Sequence, residues 1–294
     1  MTQDLLNLLV LWSVYLLFAL GMSVVWGSIG VLNFAHGAIF MFSAFVGHLV
    51  STRLDLGVPL TVLLCLLVGA VLAVVAHFLI IEPVLRATPN VAAAELRVLI
   101  ASIGVAAVLV AVAQTVTRSA PFGFAAVELP VLDIAGARAS VVQILIIVLG
   151  IGVALTVALL MRSSRGGLAL RGIGLDPETA SLMGVDRTRL AATLMAVAGG
   201  LAGLAGALLT YHLGSIVPET GDLMVIKAFA AIVLGGLGNV YGVMLGTLVL
   251  AVAETAVLTY TTGTWVDAVS FGLILLVLLV RPNGLLGRAE VRRT

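Results

Sequence analysis

Long apolar runs separated by short polar stretches dominate this chain. A helix needs about 20 apolar residues to cross a hydrocarbon core. Runs of that length fall near 5–26, 31–50, 58–81, 96–116, 141–161, 190–211, 240–259 and 264–281. A shorter run, 223–235, ends in a glycine cluster. At about 1.5 Å per residue it cannot cross alone unless it continues through the glycines. The pattern predicts an all-α fold, a polytopic transmembrane helical bundle with about eight full spans plus one short or broken helix. Residues 1–294 read as a single transmembrane domain.

Composition agrees with that pattern. The chain is 62% hydrophobic and only 10% charged, against about 25% charged residues in soluble domains. So much apolar surface requires the bilayer as solvent. A net charge of +1 argues against a nucleic-acid partner. The single cysteine, Cys65, lies in an apolar run and reads as a small buried residue, with no disulfide framework and no cysteine metal site. The start, MTQDLLNLLV, has no basic segment and carries Asp4, so it reads as a retained span and not a cleaved signal.

Arginine and lysine set the orientation. Nine passes from an outside N-terminus put Arg86, Arg97, Arg162, Arg165, Arg171, Arg187, Arg189, Arg281, Arg288, Arg292 and Arg293 on one side. Arg53, Arg118, Arg138 and Lys227 fall on the other. Basic residues stay inside, so the expected C-terminus is cytoplasmic and the segment 117–139 is an external loop.

The longest polar insert, 162–189, reads RSSRGGLALRGIGLDPETASLMGVDRTR and is then cytoplasmic. Asp176 suits a helix N-cap, Pro177 the first helical position, Glu178 the first turn and Gly184 the C′ position. Thr179, Ala180, Ser181, Leu182 and Met183 lie between, so the signals predict a helix of about two turns. So short a helix is marginal alone and must pack on something. Leu182 and Met183 offer an apolar edge, with arginines on both flanks. Either the helix tidies a connection, or a soluble motor subunit pushes against it while the arginines hold it near lipid headgroups. The chain has no G-x-x-x-x-G-K-[ST] loop, so any ATP-driven step needs a site on another chain.

Four stretches carry a family resemblance. They are GVLNFAHGA from Gly30, the insert from Arg171 to Gly184, KAFAAIVLGGLGN from Lys227, and VRPNGLLGR from Val280. In these the chain resembles the permease subunit of high-affinity branched-chain amino acid ABC importers, the LivH type. The resemblance implies a bacterial-type inner-membrane importer. It also implies a second related permease, two cytoplasmic ABC ATPase subunits that bind ATP and Mg, and an extracytoplasmic solute-binding protein. It implies no cofactor in this chain and no enzyme activity. It leaves the solute open, since related permeases carry urea, short amides or aromatic acids. By the same resemblance, Arg171, Asp176, Pro177, Glu178, Ala180, Ser181, Leu182, Met183 and Gly184 form the ATPase-coupling interface.

Two glycine-bearing segments, at Gly27–Asn33 and Gly235–Asn239, look alike, each with an asparagine able to cap the next helix. Transporters use helix breaks at substrate sites, and small residues also serve close packing. Asn33, Phe34, His36, Gly37, Gly235, Gly236, Gly238 and Asn239 are the candidate path residues, with Glu254, an acid inside an apolar run. His36 reads more readily as a hydrogen-bonded structural group than as a substrate contact. His48, His77 and His212 read as interfacial. GGLAGLAG, from Gly199, has the spacing of close helix packing. The alternatives to an ABC permease are an ion-driven transporter using Glu254 and an intramembrane enzyme. No histidine pair or nucleophile–base set supports the second.

Overall fold

A computed structural model describes residues 2–30, 32–88, 90–125, 130–134, 137–175, 177–236, 238–261, 263–281 and 284–286. The chain runs α1 (Thr2–Ile29), α2 (Ala35–Leu54) and α3 (Val58–Ala76). A π-helical turn (His77–Ile81) leads into α4 (Glu82–Ala87) and α5 (Val91–Thr117). A small antiparallel hairpin, β1 (Val131–Ile134) with β2 (Ala137–Ser140), precedes α6 (Val141–Ser163). Then come α7 (Arg165–Leu175), α8 (Pro177–Leu182), α9 (Arg187–Leu213), α10 (Thr220–Gly235), α11 (Val240–Tyr260) and α12 (Val266–Val280).

Among the described residues, seven stretches are long and apolar enough to cross a membrane: Thr2–Gly27, Ala35–Leu54, Val58–Ala87, Ala92–Thr117, Val141–Ser163, Arg187–Leu213 and Val240–Tyr260. The eighth predicted span, 264–281, is shorter than expected. A 3-10 turn at Gly263–Trp265 takes up its start and leaves the 15-residue α12, about 22 Å long.

Contacts between connections sort the helix ends into two groups. At one end Gln3 bonds the Arg138 backbone, His48 bonds the Gly123 carbonyl, Phe122 pairs with Ile216 and Gln114 donates to Glu219. At the other end Thr188 bonds Glu82, Gly27 lies against Gly238 and Asn239 donates to the Leu286 carbonyl. The chain alternates between these ends. Helix α10, at 16 residues, therefore runs from one end to the other and is continuous. Of the short or broken helix expected there, the structure has the short one, unbroken. Gly236 (φ 105°) and Gly238 (φ 71°) adopt left-handed backbone that reverses the chain into α11. Gly30 (φ 75°) likewise ends α1. Both glycine segments are turns at one end of the bundle, and neither interrupts a span.

Helices α1 and α9 form the centre. Residues 13–25 and 198–210 are buried without a break, the mark of a helix surrounded on all sides. The outward faces of α3, α5 and α12 expose Leu63, Leu67, Ile100, Val108, Leu275 and Leu276, as hydrocarbon requires. The α9 glycines serve packing, as their spacing predicts. A Cβ on Gly199 would overlap the Gly69 carbonyl of α3, and one on Gly203 the Cys65 carbonyl. Cys65 is buried and free, as the sequence suggests. Gly203→Ala is expected to lower stability by about 1–3 kcal/mol through overpacking. Gly104, with open space around it, is the control: Gly104→Ala is expected to be neutral or to stabilise by up to about 1 kcal/mol. Thermal unfolding of both variants in mild detergent measures the contrast, and equal midpoints would refute the close-packing role.

Candidate functional site

The insert is more helical than its sequence predicts. Ser164 Oγ accepts from the Gly167 N–H at 2.9 Å. Gly167 has no room for a Cβ beside the Met161 carbonyl. The chain turns there into α7, which touches α1, α6 and α9 and buries Ile173. Four glycines in its 11 residues, RGGLALRGIGL, hide this helix from propensity reasoning. Helix α8 then seats Ala180 against α7 beside Gly172, and Ala180 is buried.

The close of α8 is the one predicted. Gly184 (φ 87°) donates to the Ser181 carbonyl at 3.0 Å, and Val185 donates to the Ala180 carbonyl at 3.2 Å. This pair of bonds is the Schellman closure. The helix is six residues long, one fewer than expected, with Met183 at the cap. Leu182 and Met183 are 87% and 82% exposed. Their side chains form an apolar edge directed away from the bundle. Asp176 and the side chains of Arg171, Pro177 and Glu178 lie outside the described residues, as do Pro282, Asn283 and Arg288 of the tail motif.

Four residues, Met183 to Asp186, join α8 to α9. Asp186 Oδ1 accepts from the Arg189 N–H at 3.1 Å and caps α9. In the first turn of α9, Thr188 donates to Glu82 Oε1 at 3.0 Å. The same oxygen accepts from Arg86 Nε at 2.8 Å. His77, fully buried in the π-helical turn, lies 3.6 Å from Glu82 Oε2. It is buried within the protein beside Glu82 at that end of the bundle. These contacts tie the first turn of α9 to α4 and the end of α3.

The first candidate path segment is tightly held. Asn33 Oδ1 accepts from the Ala35 N–H at 3.0 Å and its carbonyl from the His36 N–H at 3.2 Å. The Phe34 N–H donates to Ser102 Oγ of α5 at 3.1 Å. His36 Nε2 lies 3.2 Å from the Phe18 carbonyl, so that nitrogen carries the proton. Its ring packs on Phe18 at 4.6 Å. Asn33 and His36 border a void of about 10 Å³, enough for one water. Gly37 packs against the Gly221 carbonyl of α10.

The second segment closes the α10–α11 hairpin. Gly235 packs against Gly242, and Asn239 Oδ1 accepts from the Tyr241 and Gly242 N–H groups at 3.0 and 3.3 Å. Both asparagine caps expected from the sequence therefore form. The tail returns here: the Leu285 and Leu286 N–H groups donate to the Leu234 and Gly235 carbonyls, which the end of α10 leaves free.

Glu254 is the centre of a buried polar cluster that joins four helices. It is 1% exposed. Tyr15 of α1 donates to Oε2 at 2.6 Å and Ser270 of α12 to Oε1 at 2.7 Å. Lys227 Nζ of α10 lies 3.0 Å from Oε1 and 3.1 Å from Oε2. Lys227 also lies 3.3 Å from the Tyr15 hydroxyl. The carboxylate is thus paired and fully hydrogen-bonded, as a buried charge in a membrane must be. Sequence reasoning singled out Glu254 and missed Lys227. The available signal was two opposite charges, each isolated in an apolar run of neighbouring helices.

A bundle with lipid-facing helices, a protruding two-turn helix and no phosphate-binding loop has the features of a membrane transport component. The chain belongs to the family described as branched-chain amino acid transport system, permease component, which matches residues 4–278. It is 34% identical to the high-affinity branched-chain amino acid transport system permease protein LivH of Salmonella typhimurium over 305 residues, covering 99% of this chain and 97% of that one. It is 35% identical to the corresponding permease protein BraD of Pseudomonas aeruginosa over 303 residues, with the same coverage of 99% and 97%. A probable LivH permease of Methanocaldococcus jannaschii is 28% identical over 285 residues, covering 92% of this chain and 88% of that one. No solved structure matches. The protein is a multi-pass membrane permease.

Proposed function

We propose that this chain is one permease subunit of an ATP-driven importer for branched-chain amino acids. Its N-terminus lies outside and its C-terminus in the cytoplasm. Two ATPase subunits hold ATP and Mg and press on α8 from the cytoplasmic side. A second, related permease completes the path, and an external binding protein delivers the solute. The permease itself makes and breaks no covalent bond.

The observation that carries this reading is the apolar edge of α8. Leu182 and Met183 stand 87% and 82% exposed at the end of a helix closed by its own Schellman bonds and joined to α9 by a four-residue connection. Exposed apolar side chains outside the membrane are what a partner surface covers. The pairing of Glu254 with Lys227 speaks against the ion-driven alternative. A carboxylate that accepts from three side chains on three other helices reads as a structural tie between them.

The two glycine turns make the cytoplasmic end of the path in this reading. Asn33, Phe34, His36 and Gly37 form one lip, and Gly235, Gly236, Gly238 and Asn239 the other. Contact between Gly27 and Gly238 supports a closed inner gate. The void of about 10 Å³ beside His36 agrees with it.

Extraction of the tagged chain from its native membrane in mild detergent, with mass spectrometry of what co-purifies, tests the assembly. Recovery of an ATPase and a second permease is the expected result. Recovery of the chain alone, under conditions that keep known complexes intact, contradicts it.

A further inference from the structure

A cavity of about 600 Å³ opens at the end of the bundle opposite α8. The N-terminus of α6, the C-terminus of α9 and the β1–β2 hairpin surround it. Its size is that of a small-molecule site. One wall is aromatic, with the rings of Phe124 and Tyr211 4.5 Å apart. Val131 and Val142 add aliphatic surface.

The electrostatics of the lining are one-sided. Arg138 borders the cavity, and among the described residues no aspartate or glutamate lines it, although Asp133 is paired with Arg138 across the hairpin. The backbone of Arg138 is held by the Gln3 side chain on α1. Among the described residues, its guanidinium makes no hydrogen bond or ion pair. Helix α6, 23 residues long, starts at the cavity, and its positive end adds to the field. The terminal N–H groups of α6 are occupied by the Ser140–Gln143 capping box, so the helix contributes its dipole and the arginine supplies the donors.

From these features we propose that the cavity is an outer binding site for a small carboxylate with an apolar side chain. Arg138 takes the carboxylate, and the Phe124–Tyr211 wall takes the side chain. The proposal rests on reading this chain as an importer permease, and it adds a named entry site to that reading. It also narrows the solute class, because an uncharged amide such as urea leaves Arg138 with no anion to bind.

A labelling experiment tests the site without using transport. The single native cysteine, Cys65, is buried, so an introduced thiol reacts alone. Val142→Cys and, as a second position, Ala125→Cys are introduced into the full chain in native membranes. Each is reacted with an anionic methanethiosulfonate and with its trimethylammonium counterpart. Rates are normalised to those of a free thiol. The anionic reagent is expected to react at least about tenfold faster, an effect of a nearby cation in a medium less polar than water. Adding Arg138→Gln should abolish that preference, and Arg138→Lys should keep it.

Leucine and isovalerate, which carry the carboxylate, should protect the thiol. Leucinamide, which lacks it, should not. Equal rates for the two reagents would overturn the proposal, as would protection by leucinamide equal to that by leucine. Protection by a docked external protein but by neither carboxylate would also overturn it, and would make the cavity a protein-docking site. Protection by leucine in a membrane that shows no ATP-driven leucine uptake keeps the site and refutes the importer reading instead.

Discussion

Lys227→Met is expected to be the most damaging single substitution in the membrane interior. It leaves Glu254, 1% exposed, without its cation. Removing one partner of a buried ion pair costs about 3–5 kcal/mol, because the other charge stays buried and uncompensated. A bilayer gives that charge no water to turn to. Glu254→Gln alone is expected to do comparable harm, since it strands the Lys227 ammonium. The double variant Lys227→Met with Glu254→Gln should recover to within about 1 kcal/mol of the parent, because both charges leave together. The amide introduced at position 254 still meets Tyr15 and Ser270. Thermal midpoint and yield in mild detergent read the effect. Single variants as stable as the parent would show that the cluster does not hold α1, α10, α11 and α12 together. A double variant that folds and transports would show that the cluster is structural and not a coupling site.

Ser181→Pro is expected to abolish transport while leaving the protein in the membrane. Proline within α8 removes the N–H of residue 181 and clashes with the preceding turn, a cost of about 3 kcal/mol or more. That exceeds what a two-turn helix seated on α7 through Ala180 can absorb. The spans are far from the change, so membrane levels should stay near those of the parent. Leu182→Ser with Met183→Ser offers a milder version, which keeps the helix and removes only its exposed apolar edge. It should lower uptake by about tenfold or more if two buried apolar contacts are lost at a partner surface. Normal uptake by both variants would remove α8 from the mechanism.

Much of this architecture was legible in the order of apolar and polar residues. The long spans appear because each run exceeds the hydrocarbon thickness, and a run of that length has no soluble alternative. The caps at Asn33 and Asn239 and the closure at Gly184 were legible because capping is a local affair of a few residues. Three features were not legible for physical reasons. Helix α7 carries four glycines, so its stability comes from packing on α1 and α9, which no local rule reports. The glycines at 235–238 look the same in sequence whether they break a helix in the bilayer or turn the chain outside it. The left-handed backbone at Gly236 and Gly238 and the contact of Gly27 with Gly238 at the bundle's end separate the two. Lys227 and Glu254 are 27 residues apart, and their meeting depends on the antiparallel register of α10 and α11. The outer cavity depends in the same way on a hairpin and two distant helix ends coming together.

In the proposed cycle, energy enters this permease from another chain through α8. Met183→Cys is the sharpest probe of that step, because the only other thiol, Cys65, is buried. The variant is treated in native membranes with a short bifunctional thiol reagent, and the adducts are identified by mass spectrometry with and without ATP. The expected result is a major adduct with an ATP-binding chain, with a yield that changes when nucleotide is added. A variant that transports normally yet cross-links to no ATP-binding chain, with or without nucleotide, would contradict the coupling role of α8.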